Sequence, residues 1–298
     1  GVQNSQRYVC KVFGLDSDKV RVHAPFVGGA FGSGLRPQYQ LYLAVMASLA
    51  LERSVRVVLT RRQMFTFGHR PETRQTLKLG ADETGKLTAL VHEAVAETSR
   101  FEDYMEVLVN WSTLLYPCEH TRQTHRLASV DGYTPLDMRS PGASYGVYAI
   151  ECAMDELAHA LKMDPLALRL RNYAEKDHNA DKPFSSKELR ACYREGAARF
   201  GWEARTHEPR SMRRGDTLVG WGMATGVWDA MQAPARARAR FTADGRLTVC
   251  SATADIGTGT YTVMSQIAAD VLGLPLERVR FELGDSNQPF SPFEGGSM

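Results

Sequence analysis

The segment APFVGGAFGSGL, residues 24–35, places four glycines within the seven positions from Gly28 to Gly34. The alternating stretch KVRVHAPF before it predicts a strand, and the apolar stretch over 38–51 after it predicts a buried helix. Glycine lacks a Cβ, so backbone N–H groups can closely approach a ligand, and N–H groups ahead of a helix favour anions. The pattern therefore favours a loop that binds an oxyanion, although tight strand-to-helix packing would also use glycines.

The nucleotide-binding signatures do not fit this loop. GGAFGSGLR has neither the GxGxxG spacing nor the GK[ST] ending of a phosphate-binding loop. The stretch GADETGKL, residues 80–87, comes closer, but Leu87 stands where a magnesium-binding hydroxyl is needed. Because it lies between two alternating segments, it predicts a hairpin turn over Asp82–Gly85.

Composition limits the class of protein. The 298 residues are 43% hydrophobic and 23% charged, with a net charge of +2, which is typical of a globular protein and does not imply nucleic acid. Neither a membrane anchor nor a signal peptide is recognisable. The cysteines are odd in number and widely spaced (Cys10, Cys118, Cys152, Cys192, Cys250), which argues against disulfides and thiolate metal sites. A cytoplasmic location is expected, or a periplasmic one if the chain is exported with a partner.

The predicted fold class is α+β, with two domains, residues 1–205 and 206–298. A helix is predicted over 4–15 that ends at Gly14, and a second helix is predicted over 150–161. Asp164 is predicted to cap a further helix that begins at Pro165. VRVVLTR, residues 55–61, predicts a strand. A polar region over 179–214 indicates a domain boundary or a long connection.

Two segments of the chain echo each other. VFGLDSDKVRV, residues 12–22, and VLGLPLERVRF, residues 271–281, share valine, glycine, leucine, valine and arginine in register. They could be a common helix-to-strand connection that recurs by chance, or two related half-units whose loops converge on one ligand.

Two further loops have small residues ahead of a predicted helix. These are MRSPGASYG, residues 138–146, with its helix predicted near Tyr148, and ADIGTGTYT, residues 254–262. With the first loop, they could surround an anionic cofactor with N–H and hydroxyl donors.

In order and spacing, several motifs resemble the molybdenum-binding subunit of the xanthine dehydrogenase and aldehyde oxidase family. They are VQN, GGAFGSG, MRSPGASYGVYAIECAMDELA, DPLALRLRN, ADIGTGTYTVMSQIAADVLGLP and GDSNQPFSPFEGGSM. The resemblance implies two related α/β molybdopterin-binding subdomains, the second of them, over 206–298, truncated. It also implies hydroxylation of aldehydes or N-heterocycles with oxygen from water. The molybdenum–molybdopterin cofactor could carry a cytosine dinucleotide, and iron–sulfur clusters and FAD would lie on partner domains or subunits.

The resemblance also implies a set of cofactor-binding residues. Gln3 would hydrogen-bond an oxo ligand of the molybdenum, and Arg139 would lie beside the metal and the substrate. The other positions implied to bind the cofactor are Gly29, Ala30, Phe31, Gly32, Gly257, Thr258, Gly259, Thr260 and Ser297. No residue of the protein is expected to ligate the metal directly.

Some positions depart from the family pattern. Leu35 stands where purine-oxidising members have a glutamate, which favours an apolar aldehyde or aromatic substrate, and Thr258 stands where a glutamine is usual. The catalytic glutamate of the family is expected beyond Met298, so these residues alone are expected to lack hydroxylase activity. The alternative hypothesis is a catalytically inactive module for cofactor binding or assembly.

Overall fold

The computed structural model describes residues 1–229 and 231–292. The chain forms two compact units. The first unit comprises Gly1–Arg70, Leu136–Arg139 and the described residues from Asp229 onward, and the second comprises Pro71–Pro135 and Ser140–Trp228. Both combine helices with small sheets, which confirms the predicted α+β class.

The helices and strands follow one another along the chain. The helices are α1 (Val2–Phe13), α2 (Tyr39–Leu51), α3 (Arg61–Met64), α4 (Asn110–Leu115), α5 (Ala143–Ala160), α6 (Pro165–Arg171), α7 (Leu189–Phe200) and α8 (Thr260–Leu272). The strands are β1 (Thr73–Ala81), β2 (Leu87–Ser99), β3 (His120–Val130), β4 (Lys176–Asp177), β5 (Lys182–Pro183), β6 (Arg213–Arg214), β7 (Thr217–Leu218), β8 (Arg238–Phe241), β9 (Leu247–Cys250) and β10 (Val279–Glu282). None of the helices in the described residues is long and apolar enough to cross a membrane.

The second unit is built on the sheet β1-β2-β3. Strands β1 and β2 form the predicted hairpin, with its turn at Asp82–Gly85, and β3 lies parallel to β2. Helix α5 packs against this sheet, and the core includes Leu90, Ile150 and Met154, all fully buried. As predicted, the Asp164 carboxylate caps α6, accepting from the N–H groups of Leu166 and Ala167 at 2.9 and 3.0 Å.

Helix α5 begins at Ala143, seven residues before the predicted start at 150. A Cβ built on Gly142 would lie 2.0 Å from the carbonyl oxygen of Val107, so only glycine allows this approach. The buried carboxylate of Glu106 accepts a hydrogen bond of 2.7 Å from the N–H of Gly142. Contact with the segment before α4 therefore fixes the start of this helix, and periodicity does not reveal such contacts.

The motifs ECAMDELA and DPLALRLRN meet in a buried ion pair. Arg169 is fully buried, and its Nε donates to Glu151 at 2.8 Å while Nη1 donates to Asp155 at 2.8 Å. The Glu151 carboxylate also accepts from the hydroxyl of Tyr116 and from the N–H of Thr225, the latter at 2.9 Å. These motifs therefore hold α5 to α6 and to the segment around Thr225.

A buried histidine, His92, lies on the sheet of the second unit. Its Nδ1 is 2.7 Å from Ser112 Oγ, and its Nε2 is 3.0 Å from Gln75 Oε1. Burial, reinforced by neighbouring His125, lowers the pKa of His92 from 6.5 to about 4, and burial also lowers the pKa of His125. The folded protein therefore favours neutral imidazoles.

The free energy of unfolding should fall in acid, because the His92 and His125 imidazoles take up protons more readily in the unfolded chain than in the folded protein. As pH drops from about 6.5 towards about 4, we expect His92 to cost about 3 kcal/mol in the free energy of unfolding. Urea unfolding across this range measures the effect. The variant His92→Gln should make the free energy of unfolding less dependent on pH, whereas the exposed change His178→Gln should leave this dependence as in the wild type. The same pH dependence in the wild type and both variants would refute the role given to His92.

The two echoing segments have the same local structure in the first unit. Helices α1 and α8 each end at a left-handed glycine, Gly14 or Gly273, and a short 3-10 helix follows each, Ser17–Lys19 or Leu276–Arg278. The chain then forms a single bridge at His23 in one copy and strand β10 in the other. The likeness therefore extends from sequence to backbone conformation.

Two predicted strands are wrong. Residues 19–26 contribute a single bridge, between His23 and Asp285, and residues 55–61 form no strand because nothing in the described chain pairs with them. Helix α2 forms where expected, but none of its residues is buried, and Leu43, Met46 and Leu49 are exposed. Local pattern predicts an extended or helical backbone but not the partner that covers it.

Candidate cofactor-binding site

The glycine-rich loop is anchored where it begins. The N–H of Ala24 donates to the carbonyl of Gly284 at 2.7 Å, and the N–H of Ser286 donates to the carbonyl of Val22 at 3.0 Å. Arg21 Nε donates to both carboxylate oxygens of Asp285, each at 3.1 Å. Hydrogen bonding to Arg21 keeps the pKa of Asp285 below its ordinary value. The segment after β10 therefore holds the entry to the loop.

The centre of the loop has an uncommon backbone conformation. Phe31 has a φ of 52° and Gly32 a φ of 104°. The carbonyl of Phe31 accepts a hydrogen bond of 2.7 Å from the N–H of Arg139, and a Cβ on Gly32 would lie 2.6 Å from the carbonyl oxygen of Asp137. A left-handed non-glycine residue persists only where its surroundings hold it, and strained backbone of this kind clusters at functional sites.

The loop offers a run of backbone donors. Among the described residues, no protein acceptor takes the N–H groups of the five residues from Gly28 to Gly32. Gly28, Gly29 and Phe31 are exposed. Successive N–H donors of this kind suit oxyanions and oxo groups, so the donor set fits the cofactor that the sequence motifs imply.

The turn before α8 uses its donors differently. The carboxylate of Asp255 accepts from the N–H groups of Gly257 at 2.9 Å, Gly259 at 3.3 Å and Tyr261 at 3.3 Å. Although burial opposes ionisation of Asp255, these N–H groups outweigh it and lower its pKa. The turn therefore carries its own anion. The Thr260 hydroxyl donates to the carbonyl of Ala254 at 3.2 Å and lies 3.1 Å from the Thr258 hydroxyl, so Thr258 is the hydroxyl of this turn that is placed to donate to a ligand.

Sequence reasoning missed Asp255. The signal was an aspartate two positions before a glycine at a helix start, since such side chains bond backbone N–H groups two residues on.

Asp255→Ala should lower the free energy of unfolding by about 1 kcal/mol through loss of the hydrogen bonds that the Asp255 carboxylate accepts. Urea unfolding measures this. Asp270→Ala, an exposed change at the other end of α8, is the matched control and should have no such cost; equal effects would contradict the capping role.

One side chain connects the loop with the turn. The hydroxyl of Tyr261 donates to the carbonyl of Pro25 at 2.6 Å, and the rings of Tyr261 and Phe26 have centroids 6.1 Å apart. The first turn of α8 therefore lies beside the start of the glycine-rich loop.

The other residues that the sequence predicts for the site are Gln3, Leu35 and Ser297. Gln3 Nε2 donates to the carbonyl of Gln288 at 3.1 Å, in the segment that also anchors the loop. Leu35 is half-buried, and its N–H donates to the carbonyl of Gly32 at 3.0 Å. Ser297 lies outside the described residues. Hydrogen bonds thus join Phe31 to Arg139, and Tyr261, beside the 257–260 turn, to Pro25, all within the first unit.

No direct metal ligands are evident. The described residues contain no group of three or more histidine, cysteine or acidic side chains able to hold a metal ion, and all five cysteines are free. A cavity of about 760 Å³ lies in the second unit, between the end of α5 and the segment 205–221. None of the described residues that are predicted to bind the cofactor lines it.

Comparison with known proteins agrees with these motifs. Residues 1–173 match a family model described as a molybdopterin cofactor-binding domain, and residues 195–298 match a second model of the same description. The aldehyde oxidoreductase molybdenum-binding subunit PaoC of Escherichia coli K12 is 38% identical over 290 residues, which cover 97% of this chain and 40% of PaoC.

More distant relatives match over the same extent. The putative xanthine dehydrogenase molybdenum-binding subunit XdhA of E. coli K12 is 29% identical over 98% of this chain and 40% of its own length. The structure of the aldehyde oxidoreductase from Desulfovibrio gigas superposes with a TM-score of 0.82 at 23% identity, over 100% of this chain and 34% of that one. The chain thus spans about 40% of the length of these curated relatives.

Proposed function

Because this chain belongs to the family of molybdopterin cofactor-binding domains, we propose that it provides the cofactor-binding portion of a molybdenum hydroxylase that acts on aldehydes or N-heterocycles. The observation that carries this proposal is the run of N–H donors from Gly28 to Gly32, for which the described residues supply no acceptor. Once bound, the cofactor supplies two-electron redox chemistry, with water as the source of oxygen.

Each proposed residue then has a defined task. The N–H groups from Gly28 to Gly32 donate to oxygen atoms of the cofactor. From the turn before α8 the Thr258 hydroxyl does the same, positioned by the neighbouring Thr260 hydroxyl, which donates to Ala254. The amide of Gln3, oriented by its hydrogen bond to Gln288, faces an oxo group. Arg139 fixes the conformation of Phe31 through its backbone and places its guanidinium beside the substrate. We extend the cofactor contacts to Ser297 on its motif alone.

Partners follow from the chemistry. The electrons taken from the substrate must leave through iron–sulfur clusters, and the five scattered, free cysteines cannot hold such clusters. The relatives PaoC and XdhA are described as molybdenum-binding subunits, which supports separate electron-transfer subunits here. Iron–sulfur and flavin subunits are therefore proposed as partners.

The proposed substrate is an apolar aldehyde. Leu35 follows the loop directly, and burying the polar edge of a purine against leucine would leave polar groups unpaired at about 1 to 3 kcal/mol each. The 38% identity to an aldehyde oxidoreductase subunit, against 29% to a xanthine dehydrogenase subunit, supports this preference.

This preference can be measured on the whole gene product that contains this chain. We expect kcat/KM for benzaldehyde to exceed that for xanthine at least about tenfold, since 1.4 kcal/mol suffices. Leu35→Glu should narrow the ratio, mainly by weakening aldehyde turnover, while Leu35→Met, similar in size and apolar, should retain it. Equal turnover of xanthine and benzaldehyde by the wild type would refute the selectivity assigned to Leu35 and the aldehyde assignment with it.

A further inference from the structure

The segment Leu136–Arg139 lies along the glycine-rich loop in the first unit. Its residues are more than a hundred positions away in sequence, yet the two backbones are in direct contact. A Cβ on Gly32 would be 2.6 Å from the carbonyl oxygen of Asp137 and 3.0 Å from the Cα of Met138. The loop conformation therefore depends on where this segment lies.

Other contacts hold the segment from its opposite side. The N–H of Leu136 donates to the carbonyl of His69 at 3.0 Å, and Arg70 Nη2 donates to the carbonyl of Arg139 at 2.9 Å. Arg139 in turn donates its N–H to Phe31 at 2.7 Å. Hydrogen bonds thus hold the segment to residues 69 and 70 and to the loop, so the position of the segment determines where the backbone of Phe31 lies.

An ion pair closes the far end of the loop. Arg36 Nε donates to Asp137 Oδ2 at 2.9 Å, with the side chain of Arg36 49% exposed and that of Asp137 21% exposed. Arg36 directly follows Leu35. The residues from Phe31 to Arg36 are therefore tied to one short segment at both ends, by a backbone hydrogen bond at Phe31 and by an ion pair at Arg36.

We propose that Arg36 and Asp137 are positioning residues that hold the Phe31 backbone and the Leu35 side chain in place for cofactor and substrate. This inference rests on the proposed function, because it presumes that the loop faces the cofactor and that Leu35 faces the substrate. Neither charged group needs to touch the reacting atoms. Their pairing sets the path of the backbone between the cofactor contacts and Leu35.

The test is a charge reversal in the whole gene product, purified with its partners. Arg36→Asp and Asp137→Arg each place like charges together, and the double variant restores an opposite pair with reversed sign. We expect each single change to raise KM for benzaldehyde about fivefold, the factor that corresponds to about 1 kcal/mol for an exposed ion pair. The kcat per bound molybdenum should stay within about twofold, and the double variant should recover most of the KM.

Hydrogen exchange of the amides over 28–36 gives a readout independent of activity. Exchange should speed up in the single variants and slow again in the double variant. The matched control reverses another exposed pair, Arg122 with Glu93 at 2.6 Å on β3 and β2, and should change neither readout. Wild-type protein without molybdopterin would refute the proposed function. Two other results, obtained with wild type that does contain molybdopterin, would overturn this inference alone. One is that the single variants keep the wild-type KM and exchange rates; the other is that the double variant has the same KM and exchange rates as the single variants.

Discussion

Replacing Gly32 by alanine should strongly reduce the amount of molybdopterin that the protein binds. The new Cβ would lie 2.6 Å from the carbonyl oxygen of Asp137, on a backbone whose φ of 104° is one that L side chains rarely adopt. Relieving both requires the loop to move, at a cost of about 1 to 3 kcal/mol. Because 1.4 kcal/mol is tenfold in affinity, this cost corresponds to a loss of affinity between about fivefold and about 150-fold. We expect molybdopterin per chain to fall by the same factor when free cofactor is below its dissociation constant.

Gly196→Ala, in α7 and outside the proposed cofactor contacts, is the matched control for this change. A Cβ at Gly196 meets no atom of the described residues within 4 Å, so this substitution leaves the loop unchanged. Oxidising the released pterin and measuring its fluorescence gives the content in both variants. Full loading of Gly32→Ala, or equal loss in both variants, would show that the approach of Gly32 to Asp137 does not govern cofactor binding.

Removing the guanidinium of Arg169 should cause a large loss of stability. Arg169→Met leaves the buried carboxylate of Glu151 without its charged partner, although Tyr116 and Thr225 still donate to it. Breaking a buried pair from one side costs about 3 to 5 kcal/mol. Urea unfolding should show this decrease in the free energy of unfolding.

An exposed ion pair provides the comparison for Arg169. Arg122→Met breaks a pair with Glu93 whose side chains are 64% and 41% exposed, and should cost less than about 1 kcal/mol. If the two substitutions have the same effect, the Arg169 network does not hold the second unit together. Cofactor loading should follow stability in these variants rather than change independently of it.

Helix ends and turns could be predicted from the sequence where a single residue type determines the local structure. Asp164 before Pro165 predicts its helix start, and Gly14 predicts a helix end, because capping depends on neighbours in sequence. The hairpin turn at Asp82–Gly85 was predictable for the same reason. These features need no knowledge of distant residues.

Features that depend on distant partners were not readable. The hydrogen bond between Phe31 and Arg139 joins residues far apart in sequence, and the resemblance to a family suggested one site for them without indicating this contact. The strand predicted over 55–61 failed because β-branched composition describes a backbone preference, whereas a strand also needs a partner. Asp255 was missed because its carboxylate fills a turn whose shape the composition does not reveal.

The N–H groups of Gly28–Gly32 are proposed to hold the molybdopterin cofactor. A crystal structure of the cofactor-loaded gene product tests it most directly, through the distances from these five backbone nitrogens to the cofactor. We predict that at least two of them lie within about 3.2 Å of a cofactor oxygen or nitrogen. Cofactor bound elsewhere, with these nitrogens bonded to protein or to bulk water, would contradict the claim.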